Sequence, residues 1–333
     1  MTNTCLDVYK NLNILMKDGD VYISPCCLHY PGDKVQTIDF VNNKHLKNIR
    51  EQFKQGHWPT TCAERCLTQE KINNTSRRVG SNQWYKDQGI FDTEVDLIRI
   101  DYWVGDGCNL ACAICGPDFS TSWKKELNLP IVEQKSSVNK QWKSLDLSKL
   151  KFIHFNGGEP LLSKEHVKFL EYIPNPNQVH LFYNTNGTVR PTKNLIDLWS
   201  TFKLVQLDFS IDDIGERFEY QRYPAKWEEV KENLQWFIDV MPVNCMFGVN
   251  TAVGLLNQDT ITELKYWLTE NFKTNRVTDP IEHKQQPVTG LLSSNNTDWK
   301  DIVEYLDKLD QRRGTSWRRT FPELTQKIQA YNL

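Results

Sequence analysis

From residue 95 onward, short apolar runs alternate with amphipathic stretches. Runs at 95–104, 151–156, 179–184, 204–211 and 244–252 read as strands, with a weaker one between Val277 and Val288. Between them, apolar residues recur with the helical period over 118–127, 163–173, 191–202, 226–241 and 260–272. Ser163 and the Pro191-Thr192 pair mark two helix starts. Repeated strand–helix units imply a parallel sheet, and about six of them predict the α/β class as a partial (β/α)6 TIM-type barrel. A last helix is expected over 299–313, followed by a tail with Trp317 and Phe321.

Ahead of residue 95 the pattern is different. Loose alternation over 12–16, the turn residues Asp18-Gly19 and a return over 21–24 predict a hairpin. An amphipathic stretch follows at 45–55, and Cys5, Cys26, Cys27, Cys62 and Cys66 are spread around these two elements. So few elements bury too little apolar surface to hold together alone, and a metal centre would supply the missing constraint. The expected division is therefore a small Cys-rich domain over 1–92 and a barrel over 93–333.

Charge narrows the function classes. The 333 residues carry 40 basic and 42 acidic side chains, a net charge of -2, so no global field draws the chain to nucleic acid or to an anionic membrane. No apolar run reaches the ~18 residues of a membrane span. The first twenty residues have no hydrophobic signal core, and a cytoplasmic location is expected. Nine cysteines in such a chain point to metal or redox chemistry rather than a disulfide framework.

Two motifs carry the chemistry. Cys108, Cys112 and Cys115 form C-x3-C-x2-C on the loop after the first barrel strand. Three thiolates hold three corners of a four-iron cluster and leave the fourth iron open, as catalytic metal sites require. A zinc site uses similar spacings. After the second barrel strand come Gly157, Gly158 and Glu159, followed by Pro160; the glycines allow close backbone approach and positive φ, and the carboxylate accepts hydrogen bonds from an ammonium group.

At these residues the chain resembles the radical S-adenosylmethionine (SAM) superfamily. The resemblance implies that Cys108, Cys112 and Cys115 hold a [4Fe-4S] cluster, that SAM chelates its open iron, and that an electron cleaves SAM to a 5'-deoxyadenosyl radical. It places Gly157, Gly158 and Glu159 at the SAM amino group and puts Asn184, Ser210, Asp212 and Asn250 beside SAM. The N-terminal pattern of Asp18-Gly19, Pro25-Cys26-Cys27, Cys62 to Cys66, Glu70 and Ser76-Arg77-Arg78 is similar to the shortened SPASM-like auxiliary-cluster module called a twitch domain. By that likeness Cys5, Cys26 or Cys27, Cys62 and Cys66 hold a second iron-sulfur cluster. The last pair has three intervening residues where two are usual, and a zinc site remains the alternative.

Parity adds an independent reading. In the fourth barrel strand Gln206, Asp208, Ser210 and Asp212 share one face, while Val205, Leu207, Phe209 and Ile211 share the other. The polar face must line the barrel interior, where a polar ligand would satisfy it. Cys245, a candidate hydrogen-atom donor of the kind peptide epimerases use, falls on the apolar face and reads as a core residue. Arg312, Arg313, Arg318 and Arg319 make a basic tail segment on a solvated face. The resemblance implies a ribosomally made peptide or protein as substrate, for crosslinking, epimerisation or other C–H modification, and a reductant such as flavodoxin or ferredoxin. A small sugar or nucleotide-type substrate is the alternative, and from another class, a non-catalytic iron-sulfur carrier.

Overall fold

The computed structural model describes residues 4–132, 144–272 and 282–331. Its strands are β1 (Asn11–Lys17), β2 (Asp20–Ser24), β3 (Asp33–Val35), β4 (Arg99–Trp103), β5 (Phe152–Asn156), β6 (His180–Thr185), β7 (Leu204–Ser210), β8 (Cys245–Val253) and β9 (Glu282–Pro287). They form one sheet in the order β3-β2-β1-β4-β5-β6-β7-β8-β9. Every pairing from β1 through β4 to β9 is parallel, and β2 and β3 add antiparallel strands at one edge.

The helices that cover the sheet are α1 (Lys44–Lys54), α2 (Arg77–Asp87), α3 (Thr121–Glu126), α4 (Lys164–Leu170), α5 (Lys193–Trp199), α6 (Gly215–Gln221), α7 (Trp227–Val240), α8 (Ile261–Asn271) and α9 (Trp299–Arg313). The parallel sheet with alternating helices is the expected partial-barrel architecture. The weak sixth barrel strand is found as β9. No helix among the described residues is long and apolar enough to cross a membrane.

The hairpin turn is explained by its residues: Asp18 and Gly19 both have positive φ, 50° and 79°, which gives the twist a two-residue hairpin needs. The resulting hairpin does more than close on itself. Asn11 to Leu15 pair in parallel register with Arg99 to Trp103, so the sheet runs across the boundary expected at residues 92 and 93. One apolar core accordingly extends from Leu12 and Ile14 through Ile100, Ile153 and Leu181 to Val205 and Val249. In β7 the alternation is as expected, with Val205, Leu207, Phe209 and the following Ile211 buried against the helices.

Candidate active site

The cysteine loop leaves β4 and ends at Ser120, whose hydroxyl caps α3 by accepting the amides of Ser122 and Trp123. Almost every turn of the loop is tied down from outside. Thr121 Oγ1 and Ser122 Oγ donate to the carbonyl of Cys108, and Trp123 Nε1 donates to that of Cys112 at 2.9 Å. The amides of Ala111 and Ala113 donate to Tyr223 and Gln221, as a short strand would. Tyr305 Oη donates to the Ala113 carbonyl, and Arg313 Nη2 to that of Ala111 at 2.8 Å. Lys124 joins Asp106 in the loop to Asp18 in the hairpin turn. Backbone bonding of this density fixes the course of the loop that carries the three thiols.

Gly157 and Gly158 supply a further tie. The amides of Gly158 and Glu159 donate to the carbonyls of Gly105 and Gly107, both at 2.8 Å. A Cβ on Gly157 would stand 2.6 Å from Gly105 O, and one on Gly158 2.4 Å from Gly107 O. The close approach that the sequence assigned to a ligand is thus, in the first place, an approach to the cysteine loop's own backbone. Glu159 is completely buried, and its carboxylate accepts from Thr185 Oγ1, the Asn186 amide and the Leu161 amide at 2.7 to 3.0 Å. Burial outweighs these donors and pushes its pKa up to about 7. Glu159 therefore locks the turn after β5 to the end of β6. Asn186 in turn reaches the cysteine loop, donating to Asn109 Oδ1 at 3.0 Å and approaching Cys108 Sγ at 3.9 Å.

Burial pushes the thiols up as well, Cys108 to about 11 and Cys112 to about 12, with Cys115 also raised. Arg222 opposes this at all three sulfurs, and it is itself held by Asp212, whose carboxylate accepts from Arg222 Nε at 2.7 Å and from the Ala252 amide at 2.8 Å. Asp212 thus acts first on Arg222. Arg222→Met is expected to leave that carboxylate buried without its counter-charge and to lower the stability of the metal-free protein by about 3–5 kcal/mol. Denaturant unfolding of the variant beside Asp212→Asn/Arg222→Met checks it; an unaltered midpoint for the single variant would contradict the pairing.

The remaining residues expected at SAM lie on the interior face. Ser210, the last residue of β7, and Asn250 in β8 are register partners, half-buried, and among the described residues neither side chain has a hydrogen-bond partner. Asn184 donates to Asn156 and to His154, while its Oδ1 is buried without a partner. These polar heads fit a polar ligand in the barrel. Cys245 begins β8, 1% exposed among core residues, on the face away from them.

Cys5, Cys26, Cys62 and Cys66 line one cavity, together with Asp7, His29, Trp58, Arg77 and Arg78. Cys27 is exposed beside Arg77 and does not line it. Cys62 and Cys66 stand on a helical segment whose residues Ala63–Leu67 form a π-turn. Glu70 accepts from Ser76 and Arg78, and Arg77 bridges Asp7 at the cavity to Asp101 on β4.

Ligands of one tetrahedral zinc at ~2.3 Å stand only about 3.8 Å apart. Among the described residues, the one group of three or more potential ligand atoms that lie within 4.8 Å of one another is the surface trio Asp92, Glu94 and Asp96. As donor sets, three thiols on one loop and four around one cavity suit iron-sulfur clusters, as they also suit zinc.

Residues 103–264 match the family model described as the radical SAM superfamily. This segment is similar to radical SAM domains. The match supports an enzyme, and the family it names implies a [4Fe-4S] cluster and SAM as cofactors. No curated protein matches the chain. Among solved structures, native anSMEcpe with bound AdoMet is 17% identical, with a TM-score of 0.44 over 65% of this chain and 62% of that one. The chain thus spans a little over three fifths of that protein's length. SuiB of Streptococcus suis bound to S-adenosylmethionine is 12% identical, with a TM-score of 0.41 over 94% of this chain and 73% of that one. SuiB bound to the precursor peptide SuiA is 13% identical, with a TM-score of 0.44 over 94% and 74%.

Several contributors to the candidate site escape sequence reading. Arg222 and Asn186 sit on connections without a motif of their own. Arg313, expected on a solvated face, is instead enclosed between Trp123 and Tyr223 and paired with Glu126, clamping the cysteine loop.

Proposed function

We propose that the chain reductively cleaves SAM and uses the resulting 5'-deoxyadenosyl radical to abstract hydrogen from a substrate at the barrel mouth. Cys108, Cys112 and Cys115 would hold the cluster, which supplies the electron for that cleavage. Gly157, Gly158, Glu159, Asn184, Ser210, Asn250 and Arg222 would surround SAM, with Asp212 keeping Arg222 in place. The observation that carries this reading is the arrangement of three thiols on a backbone-locked loop beside the Gly-Gly-Glu turn. Of the other six cysteines, four line the N-terminal cavity, Cys27 is exposed beside it and Cys245 is buried in the core at the start of β8. The loop's three thiols therefore leave one cluster corner for SAM.

Residues 1–92 serve in this account as a twitch-like auxiliary module, its cluster held by Cys5, Cys26, Cys62 and Cys66. With four thiols around one cavity the auxiliary centre is closed to substrate. Cys27 remains outside the ligand set. A peptide or protein is the substrate class proposed. An extended peptide can add to an open sheet edge, and β3 and β9 end the sheet among the described residues. A flavodoxin or ferredoxin supplies the electron.

Iron counting tests the two-centre account. The anaerobically reconstituted protein is expected to bind two clusters, and Cys62→Ala/Cys66→Ala to keep only the one that cleaves SAM. Zinc in place of iron, or iron unaltered by the double substitution, would remove the auxiliary module from the account.

A further inference from the structure

His29 lies in the wall of the cysteine-lined cavity, buried, with its Nε2 3.1 Å from Cys62 Sγ. Its position is set by the chain itself: the His29 amide donates to the carbonyl of Cys26 at 3.1 Å, so the turn that delivers one cysteine also aims the ring at another. His45 meets the ring edge-on with centroids 6.3 Å apart, on a helix whose buried face packs into the core.

The distance decides the ring's role. Each iron of a cubane offers a single terminal position, so two ligands of one cluster occupy different corners and cannot touch each other. His29 and Cys62 do touch, so only one of them is a ligand. With Cys62 bound as thiolate, its sulfur has no proton to give, and the imidazole must be the donor. Backbone amides serve the neighbouring sulfurs, Asp7 for Cys5 and Leu28 for Cys26. His29 is thus a donor that substitution can remove.

We propose that His29 donates its Nε2–H to the ligating sulfur of Cys62 and thereby raises the reduction potential of the auxiliary centre. The proposal rests on reading residues 1–92 as a cluster module. Reduction adds negative charge to a cluster, part of which spreads onto its thiolates, and an N–H aimed at a thiolate stabilises the more negative state. A buried centre of four thiolates resists reduction, and His29 offsets that resistance. The chain thereby makes the auxiliary centre a better electron acceptor.

The test uses full-length protein carrying Cys108→Ala, Cys112→Ala and Cys115→Ala, so that the auxiliary centre alone gives a paramagnetic signal. In a redox titration followed by electron paramagnetic resonance, His29→Phe is expected to shift the midpoint to lower potential with iron content unchanged. His29→Gln, which keeps an N–H donor, is expected to recover part of the shift. An identical midpoint in all three proteins would overturn the proposal. So would loss of iron in His29→Phe equal to that in Cys62→Ala, since His29 would then be a ligand. Absence of iron from the parent itself would instead defeat the auxiliary-cluster reading, and the hydrogen bond with it.

Discussion

Cys112→Ala, reconstituted anaerobically and given dithionite and SAM, is expected to form 5'-deoxyadenosine at least a thousandfold more slowly than the parent, equivalent to about 4 kcal/mol of barrier. Cys112 is the middle thiol of the loop and the most enclosed of the three, 8% exposed. Without its sulfur one iron loses its protein ligand, and the corner meant for SAM is no longer the one open position. The fold should tolerate the change, because the Cys112 carbonyl, not its side chain, is what Trp123 holds. An unchanged thermal midpoint together with lost cleavage is therefore the expected pair of results. Cys245→Ala provides the contrast. It removes a small core side chain far from the interior face and is expected to leave cleavage in place. Solvent deuterium entering a product in the parent but not in Cys245→Ala would show that Cys245 acts as a hydrogen donor after all.

Gly158→Ala is expected to disable the enzyme by a different route, through the backbone. The added Cβ would lie 2.4 Å from the Gly107 carbonyl oxygen and 2.8 Å from the carbonyl carbon of Asp106, and neither atom belongs to a flexible side chain. The turn after β5 and the cysteine loop must separate, which breaks the bonds from the Gly158 and Glu159 amides to Gly105 and Gly107. Overpacking of this kind costs about 1–3 kcal/mol. The lower melting temperature should be accompanied by poor iron retention, since the loop would no longer present its thiols together. Gly107→Ala is the matched control: a Cβ there meets nothing within 4 Å. Equal iron content and equal cleavage in Gly158→Ala and the parent would show that the contact between the two motifs is not what assembles the site.

Much of this site is visible in the amino-acid order, for identifiable reasons. The alternation in 204–211 is strict enough to place Ser210 on the interior face, and the Asp18-Gly19 turn is encoded by two residues that tolerate positive φ. The Cys108, Cys112, Cys115 loop and the Gly157-Gly158-Glu159 turn each lie in a short window, so their chemistry is local. What stays hidden depends on distant partners. Nothing in the β1 pattern specifies that it pairs in parallel with β4, more than eighty residues away. The same holds for Arg222 with Asp212, for Arg313 with the Ala111 carbonyl, and for His29 with Cys62, in each of which an ordinary polar residue gains its role from the fold. The glycines of the second motif show a mixed case: their need for space is legible in the sequence, but the neighbour that takes up that space is not.

The most direct test of the account is whether SAM reaches the iron of the loop cluster. Paramagnetic resonance of the dithionite-reduced, anaerobically purified protein should change in g-values and line shape when SAM is added, and Cys112→Ala should show no such change. A spectrum of the parent that stays the same with and without saturating SAM would contradict the central claim, because the open corner left by Cys108, Cys112 and Cys115 would then have no SAM to hold.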